Sequence, residues 1–264
     1  MAGVFVGGGV KNFGGRNWKG SEFFCAGWSF FAGFGGPALF LVHSAIGLAF
    51  DYVKLAGLVE RPVYGIHNPY FGLMERFNSL EDMADAYIDF IREVQPHGPY
   101  CLGGHSFGGV VALVMAEKLV TCDEEIEQVI LFDSICVKDG TRSFNDSARF
   151  IAGETWVRNI KGFCVDPESS NVEVLIKEVK HAERLLSQCA LLPYSGAVSL
   201  LKAQEVGRME GLLGYPLDIW NGWQSFLPQL TVYNVSGNHW EMFDDENLEE
   251  VVKQLNRALR DQFQ

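Results

Sequence analysis

Residues 103–109 read Gly-Gly-His-Ser-Phe-Gly-Gly, and this run restricts the fold more than any other stretch of the chain. Gly104-x-Ser106-x-Gly108 has the spacing that sets a serine on a strained turn between a strand and a helix. The residues before it, Pro99-Tyr-Cys-Leu-Gly103, are short, apolar and opened by Gly-Pro, as suits a buried parallel strand. The residues after it, Val110 to Leu119, have helical composition. A serine at such an elbow adopts backbone angles that only crowding enforces, so Gly104 and Gly108 must lack side chains. Its hydroxyl stands clear of the sheet, and the N–H of Phe107 lies at the positive end of the following helix.

A nucleophilic serine needs a base, and the base needs a carboxylate to orient it. Gln128-Val-Ile-Leu-Phe-Asp133 is a β-branched apolar run ending in aspartate, which puts Asp133 at the carboxyl edge of the next strand. Leu230–Val235 reads as a further strand, followed by Ser236-Gly-Asn-His239-Trp-Glu-Met-Phe243. A histidine on that loop reaches back over the serine. The chain order Ser106, Asp133, His239 is the nucleophile–acid–base order of α/β-hydrolases. Imidazole exchanges protons near neutral pH, so it takes the serine proton and returns it to a leaving group.

Four stretches then resemble the thioesterase domains of polyketide synthases and non-ribosomal peptide synthetases: Leu39–Gly47, Tyr100–Gly109, Leu131–Ser134 and Gly237–Trp240. The likeness runs from about Ala38 to the C-terminus. It implies an oxyanion hole made by the backbone N–H groups of Ala45 and Phe107. Ser44 and Ile46 depart from the family's usual Pro and Gly; Ile46 narrows the pocket mouth, Ile46 and Trp240 are candidates for its lining, and Trp220 and Trp223 are expected near the pocket with Trp240. The resemblance further implies release of an acyl chain, by water or by cyclisation, from phosphopantetheine on an acyl or peptidyl carrier, with no cofactor of the enzyme's own. The chain shows no carrier-type serine motif and starts at its own Met1, which suggests action in trans. Two other readings share these residues: a carboxylesterase or lipase-like enzyme on small esters, and a non-catalytic hydrolase scaffold. The intact triad opposes the second, and the acid's early position favours the thioesterase over the first.

The elements alternate. Strands are expected at 38–43, 62–66, 100–103, 128–133 and 230–235, and helices at 46–58, 79–94, 107–120 and 246–263, with Ser79-x-x-Asp82 as a cap. That pattern predicts an α/β-hydrolase fold, a mostly parallel sheet with helices on both faces. The stretch 137–227 shows no strand signal and reads as a helical lid, with an amphipathic helix at 171–191 and another at 194–207. Residues 1–37, rich in glycine and aromatics, read as an extension packed on the sheet edge, and 38–264 as the hydrolase domain. A dimer contact or membrane-adjacent patch is the sharper alternative for the extension.

Length and composition fit one such domain: 264 residues, 48% of them hydrophobic. A net charge of −12 opposes nucleic acid or an anionic membrane as partner, and an acidic carrier would need a local basic patch. The segment 145–208 carries Arg149, Arg158, Lys161, Lys177, Lys180, Arg184, Lys202 and Arg208 as that candidate. Six scattered cysteines without metal or disulfide spacing suggest a reduced, cytoplasmic protein. The apolar run from Phe23 to Phe50 is broken by Gly35-Gly-Pro37 and contains the first core strand, so no membrane span is expected. No zinc, Walker or dinucleotide motif is present.

Overall fold

The computed structural model describes residues 28–31, 37–55, 57–136 and 171–261. Its sheet consists of β1 (Trp28–Phe31), β2 (Leu39–Val42), β3 (Val63–Ile66), β4 (Tyr100–His105), β5 (Ile126–Phe132), β6 (Val198–Glu205) and β7 (Leu230–Asn238), in the order β1-β3-β2-β4-β5-β6-β7. β2 to β7 run parallel, and β1 joins the edge antiparallel to β3. The helices are α1 (Leu80–Val94), α2 (Phe107–Thr121), α3 (Asn171–Gln188), α4 (Gly207–Leu213) and α5 (Asp245–Asp261). The mostly parallel α/β architecture agrees with the sequence.

The central strands are apolar on both faces because both are covered. Phe40, Val42, Leu102, Val129 and Leu131 face α1 and α2. Their alternates Leu39, Leu41, Ile130 and Phe132 face α5 and the 3-10 helix Phe50–Leu55. Val251, Leu255 and Leu259 of α5 recur at helical spacing on that second face, each burial stabilising by about 1.5–3 kcal/mol. The cap at α1 forms as expected, with Ser79 Oγ accepting from Asp82 N–H at 3.0 Å.

Two expectations need correction. Residues 194–207 are no lid helix, since Val198–Glu205 is β6, a central strand between β5 and β7. Leu200, Leu201, Lys202 and Ala203 have helical preference, but a slot with strands on both sides overrides it. The stretch 137–227 is therefore not one insertion. The helix expected at 46–58 is only the 3-10 turn Phe50–Leu55, because Gly47 (φ 83°) and Gly57 (φ 73°) bracket it in left-handed conformation. The expected helix at 171–191 forms as α3. Of the 1–37 extension only β1 and Pro37 are described, and 137–170, with Arg149, Arg158 and Lys161, lie outside the described residues.

Candidate active site

Ser106 connects β4 directly to α2 with φ 55° and ψ −116°, an arrangement that costs about 1–3 kcal/mol and must be enforced by its surroundings. The enforcement is steric. A Cβ on Gly104 would stand 2.4 Å from the carbonyl carbon of Gly108, and one on Gly108 would stand 2.3 Å from Val42 O. The elbow thus packs against the end of β2 and brings the 43–47 loop to the N-terminus of α2. Ser106 N–H donates to Phe132 O at 3.0 Å, tying the elbow to the strand that leads into Asp133.

Tyr52 fastens the same junction from below. Its hydroxyl donates to Val42 O at 2.7 Å and accepts from His105 N–H at 2.8 Å, extending the bond between β2 and β4 past the end of their ladder. Burial pushes its phenol above the ordinary tyrosine range. Nothing in the spacing around Tyr52 announces this role.

Two further histidines are buried beside the site. His43 Nδ1 donates to Ser44 O at 2.6 Å, so Nε2 accepts from Tyr87 Oη at 2.6 Å, while the ring stacks on Phe107 at 5.9 Å. This braces the loop that carries Ala45. His105 Nε2 donates to His239 O at 2.8 Å, and its ring lies 4.7 Å from the His239 ring. Burial lowers His43 to about 4 and His105 to about 3, so both rings are neutral near pH 7.

Asp133 follows β5 with φ 45° and His239 follows β7, and the structure brings them together: His239 Nδ1 donates to Asp133 Oδ2 at 2.8 Å. Both are buried. The other oxygen, Asp133 Oδ1, accepts from Ala203 N–H at 3.1 Å and Asn221 Nδ2 at 3.0 Å. Burial alone would raise this carboxyl, but the bond and charge of His239, the Asn221 amide and the Lys202 charge outweigh it, and Asp133 sits below its ordinary value. Asn221 escaped the sequence reading, and Lys202, expected there as part of a basic docking surface, is instead buried against Asn221. Their signals were an Asp218-x-x-Asn-Gly turn and a lone lysine inside the apolar run 198–203.

Ala45 lies in the turn after β2, closed by Gly47 N–H donating to Ser44 O at 3.0 Å, and Phe107 is the first residue of α2. Ile46 and Trp240 meet in one buried apolar cluster with Leu48 of the 43–49 loop, Leu175 and Val179 of α3 and Leu213 of α4. Trp223 lies elsewhere. It is 1% exposed in the core under α2, with Nε1 donating to Ser134 O at 2.9 Å, so its expected place near the pocket is a correction. Over the site α3 is tied down by Glu178, which accepts from Asn68 Nδ2 and Gly72 N–H and pairs with Arg76 at 3.0 Å. Among the described residues no cluster of three His, Cys, Asp or Glu side chains could hold a metal ion, and no helix is long and apolar enough to cross a membrane.

A serine elbow, a buried imidazole–carboxylate pair and an apolar cluster converging on the carboxyl edge of the sheet can be compared with known proteins. The family model described as thioesterase domain matches residues 37–259. The chain belongs to the thioesterase domain family. Vanchrobactin synthetase VabF of Vibrio anguillarum is 32% identical over 241 residues, 85% of this chain but 8% of that protein. Thioesterase pytI of Aspergillus terreus is 38% identical over 112 residues, 37% of this chain and 36% of that one. The thioesterase chain thus spans only a small part of VabF. Among solved structures, the NocB thioesterase domain of the nocardicin cluster superposes with a TM-score of 0.70 at 34% identity, covering 89% of this chain and 99% of that one. The surfactin thioesterase domain SrfTE, at 19% identity and a TM-score of 0.62 over 88% of this chain and 95% of that one, shares the fold.

Proposed function

We propose that this thioesterase-family chain releases an acyl, polyketide or peptide-like chain from a carrier-protein phosphopantetheine thioester through an acyl-serine intermediate. The observation that carries the proposal is the 2.8 Å His239–Asp133 bond, made beside the elbow that carries the half-buried Ser106. In this reading Ser106 Oγ attacks the thioester carbonyl carbon while His239 Nε2 takes its proton. The N–H groups of Ala45 and Phe107 hold the oxyanion. The C–S bond then breaks, and the imidazolium proton goes to the departing pantetheine sulfur. Water, or a nucleophile within the acyl chain, attacks the acyl-serine by the same route in reverse. Asp133 stays ionised and keeps Nδ1–H of His239 pointed away from the serine.

Two further observations support this reading. The neighbour NocB was solved as a covalent complex with a fluorophosphonate nocardicin G analog, and fluorophosphonates react with nucleophiles. The apolar cluster of Ile46, Trp240 and α3 suits a long apolar or aromatic acyl chain better than a small polar one. The relatives reported as synthetases make a carrier the natural donor, and these 264 residues hold no carrier motif, so the carrier acts from outside them.

Intact-protein mass spectrometry after incubation with acyl-carrier and acyl-N-acetylcysteamine thioesters tests the reading. The expected result is one acyl adduct on Ser106, absent in Ser106→Ala, with turnover in that variant down by about four to six orders of magnitude. Near-normal turnover in Ser106→Ala overturns it. Preference for small oxygen esters over every thioester would instead make the chain a carboxylesterase.

A further inference from the structure

The acid of the site is held by a pair of buried side chains that the proposed chemistry does not itself require. Asn221 is fully buried, with φ 48° in a turn closed by Asp218, whose Oδ1 accepts from Trp220 N–H at 3.0 Å and Gly222 N–H at 2.8 Å. Asparagine tolerates that left-handed conformation, so the turn presents its amide at a fixed place. Nδ2 donates to Asp133 Oδ1 at 3.0 Å and to Ser134 O at 3.3 Å.

A primary amide fixed only at its Cα can turn over and set its oxygen against the carboxylate, a repulsive contact. Here the amide oxygen is engaged. Lys202 Nζ, on β6 and 7% exposed, donates to Asn221 Oδ1. An ammonium accepts nothing, so only the amide oxygen can face it, and the N–H groups must face Asp133. Lysine is costly in a central strand, where an apolar side chain would pack without desolvating a charge. Burial lowers its pKa, and the charges that oppose this are Asp133, Asp218 and Glu210. A packing role alone does not explain a cation there.

We propose that Lys202 and Asn221 are positioning residues for the acid: Lys202 sets the orientation of the Asn221 amide, and that amide sets the carboxylate plane of Asp133 that aims His239. This rests on the Ser106–Asp133–His239 reading and adds to it a relay from β6, through a turn far along the chain, to β5. Neither residue touches a substrate. Their loss shows in kcat and leaves substrate binding alone.

The test is a double-mutant cycle in the full chain, read as kcat, KM and urea midpoint with one acyl-N-acetylcysteamine thioester. Asn221→Gly deletes the amide and keeps φ 48° accessible; Lys202→Met keeps the stem and deletes the charge. Displacing a catalytic group by a fraction of an ångström to 1 Å costs up to about a hundredfold, so Asn221→Gly should lower kcat by about ten- to a hundredfold, with KM changed less than about twofold. Lys202→Met should lower kcat in the same sense, and the double variant should be no worse than Asn221→Gly alone, because one residue acts through the other. Multiplicative losses in the double variant, or unchanged kcat in folded Asn221→Gly, overturn the proposal. Should Asn221→Gly not fold, Lys202→Met alone decides: kcat preserved overturns, and kcat lost with KM held supports. Ser106→Ala run alongside separates the failures, since its retained turnover overturns the parent reading and its loss leaves that reading standing whatever the cycle gives.

Discussion

The proposed nucleophile, Ser106, and the proposed acid, Asp133, are placed by different physics. Ser106 is set by close steric packing, with Gly104 and Gly108, two residues to either side, crowding its turn and pressing it on Val42 of the neighbouring strand. Asp133 is set from a distance: Ala203 lies 70 residues away, Asn221 88 and His239 106. Steric crowding admits no partial adjustment, whereas hydrogen bonds can be lost one at a time. The elbow should therefore fail as a unit, and the acid's support should fail in steps.

The sharpest way to break this contrast is to disturb each side by one small change. Gly108→Ala puts a methyl 2.3 Å from Val42 O and 2.5 Å from His43 O, both backbone atoms that cannot step aside. Destabilisation should exceed the ~1–3 kcal/mol usual for overpacking and yield no folded, active protein. Asp133→Asn, by contrast, is expected to keep the native thermal midpoint within a few degrees and to lower kcat by about ten-thousandfold, as loss of the orienting carboxylate does in serine hydrolases. Circular dichroism melts beside kcat measurements check both. A stable, active Gly108→Ala would mean that Val42 and His43 can yield where the packing leaves them no room.

The same contrast explains what was legible. The elbow, α1 with its Ser79 cap, the two covered faces of the sheet and the pairing of Asp133 with His239 follow from local patterns: Gly spacing, capping chemistry, apolar runs. β6 was not legible, because Leu-Leu-Lys-Ala-Gln prefers a helix and becomes a strand only where β5 and β7 leave a slot. The tie of Lys202 and Asn221 to Asp133 was hidden with it, since that tie depends on the strand lying next to β5. Trp223 was misjudged for a related reason: its nearness in sequence to the site said nothing of which side of Ser134 it packs on.

Protonation sharpens the comparison at intermediate size. Burial lowers His43 to about 4, and His67 and His105 to about 3. Their imidazoles would bind protons below about 6.5 in the unfolded chain but stay neutral in the native one. The unfolded state then holds more protons, and stability falls as pH drops from about 6.5 toward 4, by up to about 1.4 kcal/mol per pH unit for each ring. Asp51, raised to about 6 by burial, binds its proton first in the native state and offsets part of this between about 4 and 6, and Glu178, also raised, acts in the same sense. Three rings outweigh these, so the urea midpoint at pH 5 should lie clearly below that at pH 7. A higher midpoint at pH 5 would mean that the histidines under the elbow and the 43–47 loop are not held neutral.

The smallest expected effect concerns the outer face of α3. Lys177, Lys180 and Arg184 are exposed there at helical spacing, the described part of the basic stretch from 145 to 208 with side chains open to a partner. They are not equivalent. Arg184 Nη2 donates to Phe77 O and Nη1 to Gln188 Oε1, each at 3.2 Å, so it straps α3 to the loop before α1. Lys177 and Lys180 form no ion pair among the described residues, which leaves their charge for a partner. On a chain of net charge −12, two such lysines are a local exception, and under the proposed function an acidic carrier would be steered toward them mainly through its rate of encounter. Reversing both to Glu while keeping Arg184 should raise KM for an acyl-carrier substrate by about three- to tenfold at low salt and leave the acyl-N-acetylcysteamine thioester unchanged. The difference should shrink as salt is added. Equal loss on both substrates would mean that α3 has shifted and the acyl cluster with it; no change on either would mean the carrier docks on another face.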